Sequence, residues 1–436
     1  MKKFYNFWFL IFFIWIISTA IDRYCWNNLN GIPAWDQADY LNNAMAHGKA
    51  LALIEGGKWD GFKSLLDLSP KIPPLASLIN GTVMSIAGDM PSQASWSLSL
   101  WNGLLLFSIA RWGILLLNKS FAILSVSFIS ISPILLQLRS DYVLEMPLTA
   151  SLSLTILSIG YWLHPYKGGK SWQALLASLA TASSLLIKQS ALLVIIPMFA
   201  YTIILVLKNS QEVKKKIIQL IMGCTLISLA ILPWLKHNLI TFIGGTNRAV
   251  IQSAKLEGDP NLFSIENWTW YPKLIPSQIG NSILIVGISG IIFWLFSFHK
   301  RKSIASINRN ETDDIFLWNW LIMTVITSWI LTSLSPNKDE RYIAPLIPLL
   351  ILLLSRGWWE WNKWFQRKKI IKRPLNSLIM SISFGLLGTL PQATKAQIQF
   401  LANTPDGPLQ EMIDTVLAAN SNSYKQTAII VPSTPD

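Results

Sequence analysis

The sequence predicts an all-α polytopic membrane protein, a helical bundle of about eleven crossings, and three observations carry that reading. Of its 436 residues, 52% are hydrophobic and only 14% are charged, and the mean hydropathy is +0.41. Apolar runs recur at about the 20-residue length needed to cross a hydrocarbon layer of about 30 Å. Basic residues gather on alternate connections between those runs, as they do on the cytoplasmic side of membrane proteins.

The runs fall at 4–21, 95–117, 121–138, 146–163, 172–187, 190–207, 217–235, 281–298, 315–334, 342–355 and 375–391. The first is long and aromatic, and Ile21-Asp22-Arg23-Tyr24 follows it with no small-residue cleavage site, so it is expected to remain as a helix. Lys2, Lys3, Arg111, Lys119, Lys167, Lys170, Lys208 and Lys214 to Lys216 all fall on one side of the expected topology, as do Arg356, Lys363 and Arg367 to Lys369. That side is the cytoplasm, which puts the N-terminus inside and the C-terminus outside. The net charge of +13 is therefore a topology signal, and no nucleic-acid partner is expected. The 21 tryptophans suit bilayer interfaces, and the two cysteines, Cys25 and Cys224, are too few and too far apart for a disulfide framework.

This topology makes residues 1–391 a transmembrane domain with two long outer loops, 22–94 and 236–280, followed by an outer tail, 392–436. In the first loop, Ala38 to Ala52 has apolar residues at helical spacing and reads as a helix lying on the membrane surface. Pro73 to Ala87 opens with two prolines suited to a helix start. Arg139 to Glu145 reads as a short polar hinge. In the tail, Pro408 to Ala419 reads as a short helix and Thr427 to Val431 as a strand, the start of an α/β unit that is either docked on the membrane domain or part of a larger external domain.

The outer loops carry motifs. Trp35-Asp36-Gln37-Ala38-Asp39-Tyr40 follows the first crossing, and Lys71-Ile72-Pro73-Pro74-Leu75 comes later in the same loop. Arg139-Ser140-Asp141-Tyr142-Val143-Leu144-Glu145-Met146-Pro147-Leu148 forms the hinge, Leu186-Ile187-Lys188-Gln189 stands at an outer helix boundary, and Lys338 to Pro348 reads KDERYIAPLIP. In this order and at these intervals, the elements resemble those of the GT-C membrane glycosyltransferases that use polyprenyl-phosphate sugars, among them the protein O-mannosyltransferases and the lipid A aminoarabinose transferases. The likeness spans residues 1 to about 391. It departs from the family pattern at Ile72, which separates Lys71 from the prolines, and at Glu145, where the family has Asp.

The resemblance implies a GT-C-like bundle with juxtamembrane helices on its outer face, in a bacterial inner membrane. It also implies a polyprenyl-phosphate sugar as donor, Asp36 as the catalytic carboxylate, and Glu145, Arg139, Lys71, Lys188, Arg341 and Tyr342 as substrate-binding residues. The acceptor (protein, lipid A, another lipid or a glycan) is left open.

Elementary chemistry asks for the same parts. Transfer from a lipid phosphate needs a base at the acceptor hydroxyl and cations at the leaving phosphate. Asp36 stands just past a helix end, and Lys188 and Arg341 are expected at outer helix ends. Each also has a structural alternative. Asp36 can cap the surface helix, and Asp39 can be a solvated first-turn acid. Arg139 can pair with Glu145 across the hinge, and Lys188 can snorkel to the interface. Arg341 can form a rim salt bridge to Asp339 or Glu340, and Tyr342 can anchor at the interface.

No nucleotide-binding loop is present. His47, His164, His237 and His299 are scattered, so no cofactor or protein-ligated metal is expected, although Asp36 and Glu145 could share a divalent ion with phosphate. The competing readings are a transporter or lipid-carrier flippase, and an inactive relative. Crossings almost free of charge argue against the first.

Overall fold

The computed structural model describes residues 2–28, 36–55, 60–165, 167–209, 212–302, 309–371 and 373–403, and every regular element in them is helical. Trp35 and the proposed tail elements Pro408 to Ala419 and Thr427 to Val431 lie outside the described residues. The helices are α1 (Lys2–Asn27), α2 (Asp36–Glu55), α3 (Asp60–Asp67), α4 (Leu75–Ala87), α5 (Pro91–Ala94) and α6 (Trp96–Leu116). Next come α7 (Lys119–Ser130), α8 (Pro133–Ser140), α9 (Glu145–Leu163), α10 (Ser171–Leu185), α11 (Leu192–Asn209) and α12 (Val213–Asn247). The chain continues through α13 (Ser253–Leu256), α14 (Ile265–Ile279), α15 (Asn281–Lys302), α16 (Arg309–Ser333), α17 (Ile347–Arg367) and α18 (Pro374–Asn403).

Eight helical spans among the described residues are long and apolar enough to cross a membrane, and two bent pairs raise the total to ten. Every expected run lands on one of these except 172–187. That run is the 15-residue α10, shorter than a full crossing. The expected run 121–138 is broken by 59° between α7 and α8. Pro133 opens α8 there, because it has no N–H to donate and its ring cannot follow a continuous helix. The second bent pair, α14 and α15, turns by 111°.

Burial orders the bundle. α9 is 83% buried along its span and is its centre, whereas α12 at 11% and α1 and α18 at 28% present apolar faces outward. In a bilayer such faces meet lipid, so helices associate by close packing and polar contacts rather than by escape from water. Accordingly the Ser151 and Thr155 hydroxyls of α9 each lie 2.9 Å from Ser184 Oγ of α10. On α15 and α17 the backbones nearly touch: a Cβ on Gly290 would meet the Gly357 carbonyl oxygen at 2.1 Å.

α2 and α4 are the two helices that the spacing predicts at Ala38 to Ala52 and Pro73 to Ala87. α2 lies against α4 so closely that a Cβ on Gly81 would meet the Ala44 carbonyl oxygen at 2.2 Å. The expected second loop, 236–280, is mostly helical. The 35 residues of α12 span about 52 Å, well beyond the hydrocarbon thickness, and a π-helical turn at Arg248–Gln252 carries the chain into α13. Three bonds fasten α12 to α3 and the segment after it. Trp234 Nε1 donates to the Ser69 carbonyl (3.1 Å), Asn238 Nδ2 donates to the Leu66 carbonyl (2.8 Å), and His237 Nε2 lies 2.6 Å from Asp67 Oδ1.

α1 is held to α8 by a buried ion pair. Arg139 Nε donates to both Asp22 oxygens at 3.0 and 2.9 Å, and the Arg139 carbonyl accepts from Trp26 Nε1 at 2.9 Å. The two side chains are 1% and 3% exposed. Removing one partner strands a buried charge, which costs about 3–5 kcal/mol, whereas an apolar pair of similar volume is nearly neutral. Asp22→Ala is therefore expected to lower the thermal unfolding midpoint of the detergent-solubilised protein sharply. Asp22→Leu combined with Arg139→Met should recover most of the loss. An unchanged midpoint in Asp22→Ala would mean the pair does not hold α1.

Candidate functional site

Four segments distant in sequence meet where α2 begins. α9 starts at Glu145, and the break between α10 and α11 places Lys188 beside it. Lys188 Nζ donates to Glu145 Oε1 at 2.5 Å, and the two side chains are 15% and 3% exposed. Glu145 also begins a helix, where a carboxylate is favoured by the helix dipole. The Lys188 ammonium lies 5.4 Å from the centre of the Tyr342 ring, within cation–π range.

Arg341 and Tyr342 sit in a 3₁₀ turn, Glu340–Leu346, capped by Asp339, whose Oδ1 accepts from the Arg341 backbone N–H at 2.7 Å. The same carboxylate grips the Arg341 guanidinium from the side, with Nε to Oδ2 at 3.0 Å and Nη2 to Oδ2 at 2.6 Å. Burial alone would raise the Asp339 carboxyl pKa, but these Arg341 contacts outweigh it and hold it below its ordinary value. Arg341 Nη2 then reaches Asp36 Oδ2 at 3.6 Å, and the Asp36 side chain remains 57% exposed. A carboxylate open to solvent thus stands next to a guanidinium already fixed from behind.

Beside them, Gln37 Nε2 donates to Asp141 Oδ1 at 2.5 Å. Burial pushes the Asp141 carboxyl up to about 6, against the opposing pull of Arg341 and the Gln37 bond. The buried Tyr40 hydroxyl is raised too, first by burial and then by the Glu145 and Asp36 carboxylates nearby. Asp36 is followed by Tyr40 at i+4, one turn of α2, so both belong to one helix face.

The structure therefore brings together Asp36, Glu145, Lys188, Arg341 and Tyr342. It places Arg139 elsewhere, in the pair with Asp22, and not against Glu145 across the hinge. Lys71 is exposed and its side chain lies against Gly245 of α12, 3.4 Å from where a Cβ would stand. The segment after Lys71 does approach Lys188, since the Leu75 N–H donates to the Leu186 carbonyl at 2.9 Å. Sequence reasoning assigned no part to Gln37 or Tyr40, although their helical spacing from Asp36 and Asp141 within the hinge were available signals. Among the described residues, no group of three His, Cys, Asp or Glu side chains is arranged to hold a metal ion.

The loop carrying Arg341 is anchored from outside the cluster. Asn337 Nδ2 donates to the Ala249 carbonyl of the π turn (2.6 Å), and the Lys338 backbone N–H donates to Asp259 Oδ2 (2.8 Å). Lys338 Nζ donates to the Ser333 carbonyl at 2.7 Å and lies 5.7 Å from the Tyr271 ring centre. Burial lowers its pKa to about 8, with Asp259 acting the other way.

Residues 71–237 match the family model described as dolichyl-phosphate-mannose-protein mannosyltransferase. That stretch contains Glu145 and Lys188 but not Asp36 or Arg341. Alpha-1,2-mannosyltransferase ALG9 of Saccharomyces cerevisiae is 25% identical over 134 residues, which cover 30% of this chain and about one fifth, 20%, of the yeast protein. Among solved structures, ArnT from Cupriavidus metallidurans bound to undecaprenyl phosphate superposes with a TM-score of 0.56 at 12% identity, covering 93% of this chain and 78% of that one. The archaeal oligosaccharyltransferase AglB from Archaeoglobus fulgidus, in complex with an inhibitory peptide and a dolichol-phosphate, gives 0.60 at 11% identity, covering 97% and 58%. The fold resemblance read from the motifs is thereby borne out.

The raised Asp141 carboxyl has a consequence for stability. Its folded pKa of about 6 exceeds the ordinary 3.8, so the folded state disfavours the charge. The resulting penalty is absent below pH 3.8, grows up to about pH 6 and is constant above, reaching about 3 kcal/mol. Asp141→Asn keeps an acceptor for Gln37 and removes the charge. It is expected to unfold at a higher temperature than the parent at pH 8, with the advantage shrinking towards pH 4. An advantage independent of pH would show that Asp141 is not strained by its burial.

Proposed function

We propose that this multi-pass membrane protein, which belongs by fold to the GT-C glycosyltransferases, transfers a sugar from a polyprenyl-phosphate donor to an acceptor hydroxyl at the outer face of the membrane. The observation that carries the reading is the convergence of an exposed carboxylate, Asp36, with two cations, Lys188 and Arg341, each held from behind by its own acid. The family model's description and the lipid phosphates named with the two solved structures support the same substrate class for this chain.

In this mechanism Asp36 accepts the proton of the acceptor hydroxyl as its oxygen bonds to the anomeric carbon. The bond from that carbon to the phosphate oxygen breaks on the far side, and the polyprenyl phosphate leaves with the electron pair. Lys188 and Arg341 stabilise the charge that develops there. Glu145 and Asp339 keep those cations oriented before the donor arrives, and the exposed edge of Arg341 is free to meet phosphate. The transferred group is a hexosyl or pentosyl residue. The proposal invokes no cofactor, since both cations are side chains.

The outer-face location rests on charge. The cluster contains Asp36, Asp141, Glu145 and Asp339, whereas Lys167, Lys170 and Lys214 to Lys216 lie at the opposite ends of α9, α10 and α12. With basic ends inside, the cluster faces out in a bacterial inner membrane, and with the short α10 joining the two faces as an eleventh span the N-terminus is in the cytoplasm and the C-terminus outside.

The test is incubation of the protein in nanodiscs with polyprenyl-phosphate sugars, following donor hydrolysis or transfer. Asp36→Asn caps a helix about as well as Asp, so it separates a base from a cap. Turnover is expected to fall roughly a hundredfold to ten-thousandfold with donor binding retained. Lys188→Ala and Arg341→Ala are each expected to weaken donor binding about tenfold to a hundredfold, from losing a charge-assisted contact of about 1.5–3 kcal/mol. A fully active Asp36→Asn protein would remove Asp36 from the chemistry. Undiminished donor affinity in both cation variants would leave them as interfacial anchors.

A further inference from the structure

Away from the cluster, a crevice opens between α10 and α12 near the ends where both helices begin. Its apolar part, about 410 Å³, runs along Leu175, Ile221, Met222, Leu226 and Leu229. A second part, about 560 Å³, is lined by Glu212, Lys214 and Lys215, and shares Ser171, Gln219 and Met222 with the first, so the two adjoin. Each volume falls within the range of small-molecule sites.

The crevice has a built frame. Gln219 fixes its polar end, accepting from Trp162 Nε1 at 2.8 Å and donating to the Gly169 carbonyl at 3.1 Å and to Ser171 Oγ at 3.3 Å. Deeper in, α12 has no side chain at Gly223, where a Cβ would stand 2.5 Å from Ser178 Oγ. Leu175, Ile221, Met222 and Leu229 are all more than half exposed, so the groove is open to the bilayer along its length.

The mouth is basic. Glu212 accepts from Lys215 at 2.8 Å, and Lys216 Nζ lies 5.5 Å from the Trp162 ring centre. Among the described residues, no acid pairs with Lys214. Three lysines in sequence against one carboxylate leave an excess of positive charge where the apolar groove ends.

We propose that this crevice is a binding site for an anionic membrane phospholipid, one acyl chain lying along the apolar groove and the headgroup phosphate held by Lys214 and Lys215. A soluble anion would gain nothing from the apolar floor, and an uncharged lipid nothing from the lysine mouth. The polyprenyl-phosphate donor has the same two chemical parts, but its reacting carbon must reach Lys188, which lies beyond the other end of the 15-residue α10, about 22 Å away. The proposal therefore concerns the lipid of the bilayer and stands independently of the transfer reaction.

The experiment is native mass spectrometry of the full chain released from detergent, titrated with phosphatidylglycerol or with phosphatidylcholine carrying the same acyl chains. One phosphatidylglycerol is expected to be retained roughly tenfold to thirtyfold more tightly, the effect of two lysines near a lipid headgroup. Lys214→Gln with Lys215→Gln should reduce the two lipids to equal affinity. Met222→Trp, at an exposed position where extra volume threatens no core packing, should weaken both. Equal binding of the two lipids by the parent would overturn the proposal, as would a preference that survives the lysine variant or undiminished binding in Met222→Trp. Displacement of phosphatidylglycerol by equimolar undecaprenyl phosphate would overturn it in favour of the carrier lipid.

Discussion

The pairing of Lys188 with Glu145 depends on two backbone interruptions, and much of the cluster is arranged around it. The break between α10 and α11 turns a lysine toward the start of α9, and α9 begins there with a carboxylate rather than an apolar residue. An isolated ammonium at this depth would be costly to desolvate, and so would an isolated carboxylate. Together they are tolerated, but a buried ion pair is seldom a net source of stability compared with apolar packing. On the proposed reading, the pair at the most buried helix of the bundle serves use rather than strength. A phosphate brings charge and several acceptor oxygens, and so can take over from Glu145 as the ammonium's partner without leaving it unpaired.

Arg341 follows the same logic on the facing side. Asp339 caps the turn and clamps the guanidinium, so the side chain reaches the cluster already oriented, and much of its conformational entropy is lost on folding rather than on binding. The clamp is itself braced, because Asn337 and Lys338 are bonded to the π turn and to Asp259. α12 in turn is bonded to the segment leading into Lys71 through Trp234, His237 and Asn238. One long helix therefore braces both the loop that carries Arg341 and the connection preceding the Pro-Pro element. That gives a structural use to a length well beyond what crossing a bilayer requires.

Much of this was legible in the sequence, and the reasons for what was not are physical. Crossings were readable because bilayer thickness imposes a length and excludes charge, so α6, α9 and α11 start and end within a few residues of their apolar runs. The kink at Pro133 was missed because a run of apolar residues conceals a backbone break that only the proline marks. The helix through 236–256 was missed because a run of hydropathy marks where an apolar stretch ends, not where its helix ends. Within the site, Asp36, Glu145, Lys188 and Arg341 could be named from their motifs, but motifs do not show which charges neutralise each other. Arg139 illustrates the difficulty: it stands six residues before Glu145, yet the helix geometry of α8 directs it to Asp22 on α1, where Asp22 was noticed only as part of a missing cleavage site. Gln37 and Tyr40 were overlooked because an amide and a phenol in a surface helix look ordinary until a buried acid is found opposite.

The two ends of the bundle handle lysine differently, and the contrast separates topology from chemistry. At the end where α10 and α12 begin, Lys214 to Lys216 follow one another with a single exposed acid among them, and their surroundings are a groove and an open rim. Such charges need no protein partner, because water and lipid headgroups screen them. At the other end Lys188 and Arg341 are each paired and each partly withdrawn from solvent. In the cluster each cation has an acid behind it, and Asp36, more than half exposed, stands in front. A scaffold built only to stay in a membrane has no need of that second arrangement, since an uncharged interface would be simpler to fold. The paired cations and the open carboxylate are what the proposed site for an anionic leaving group requires.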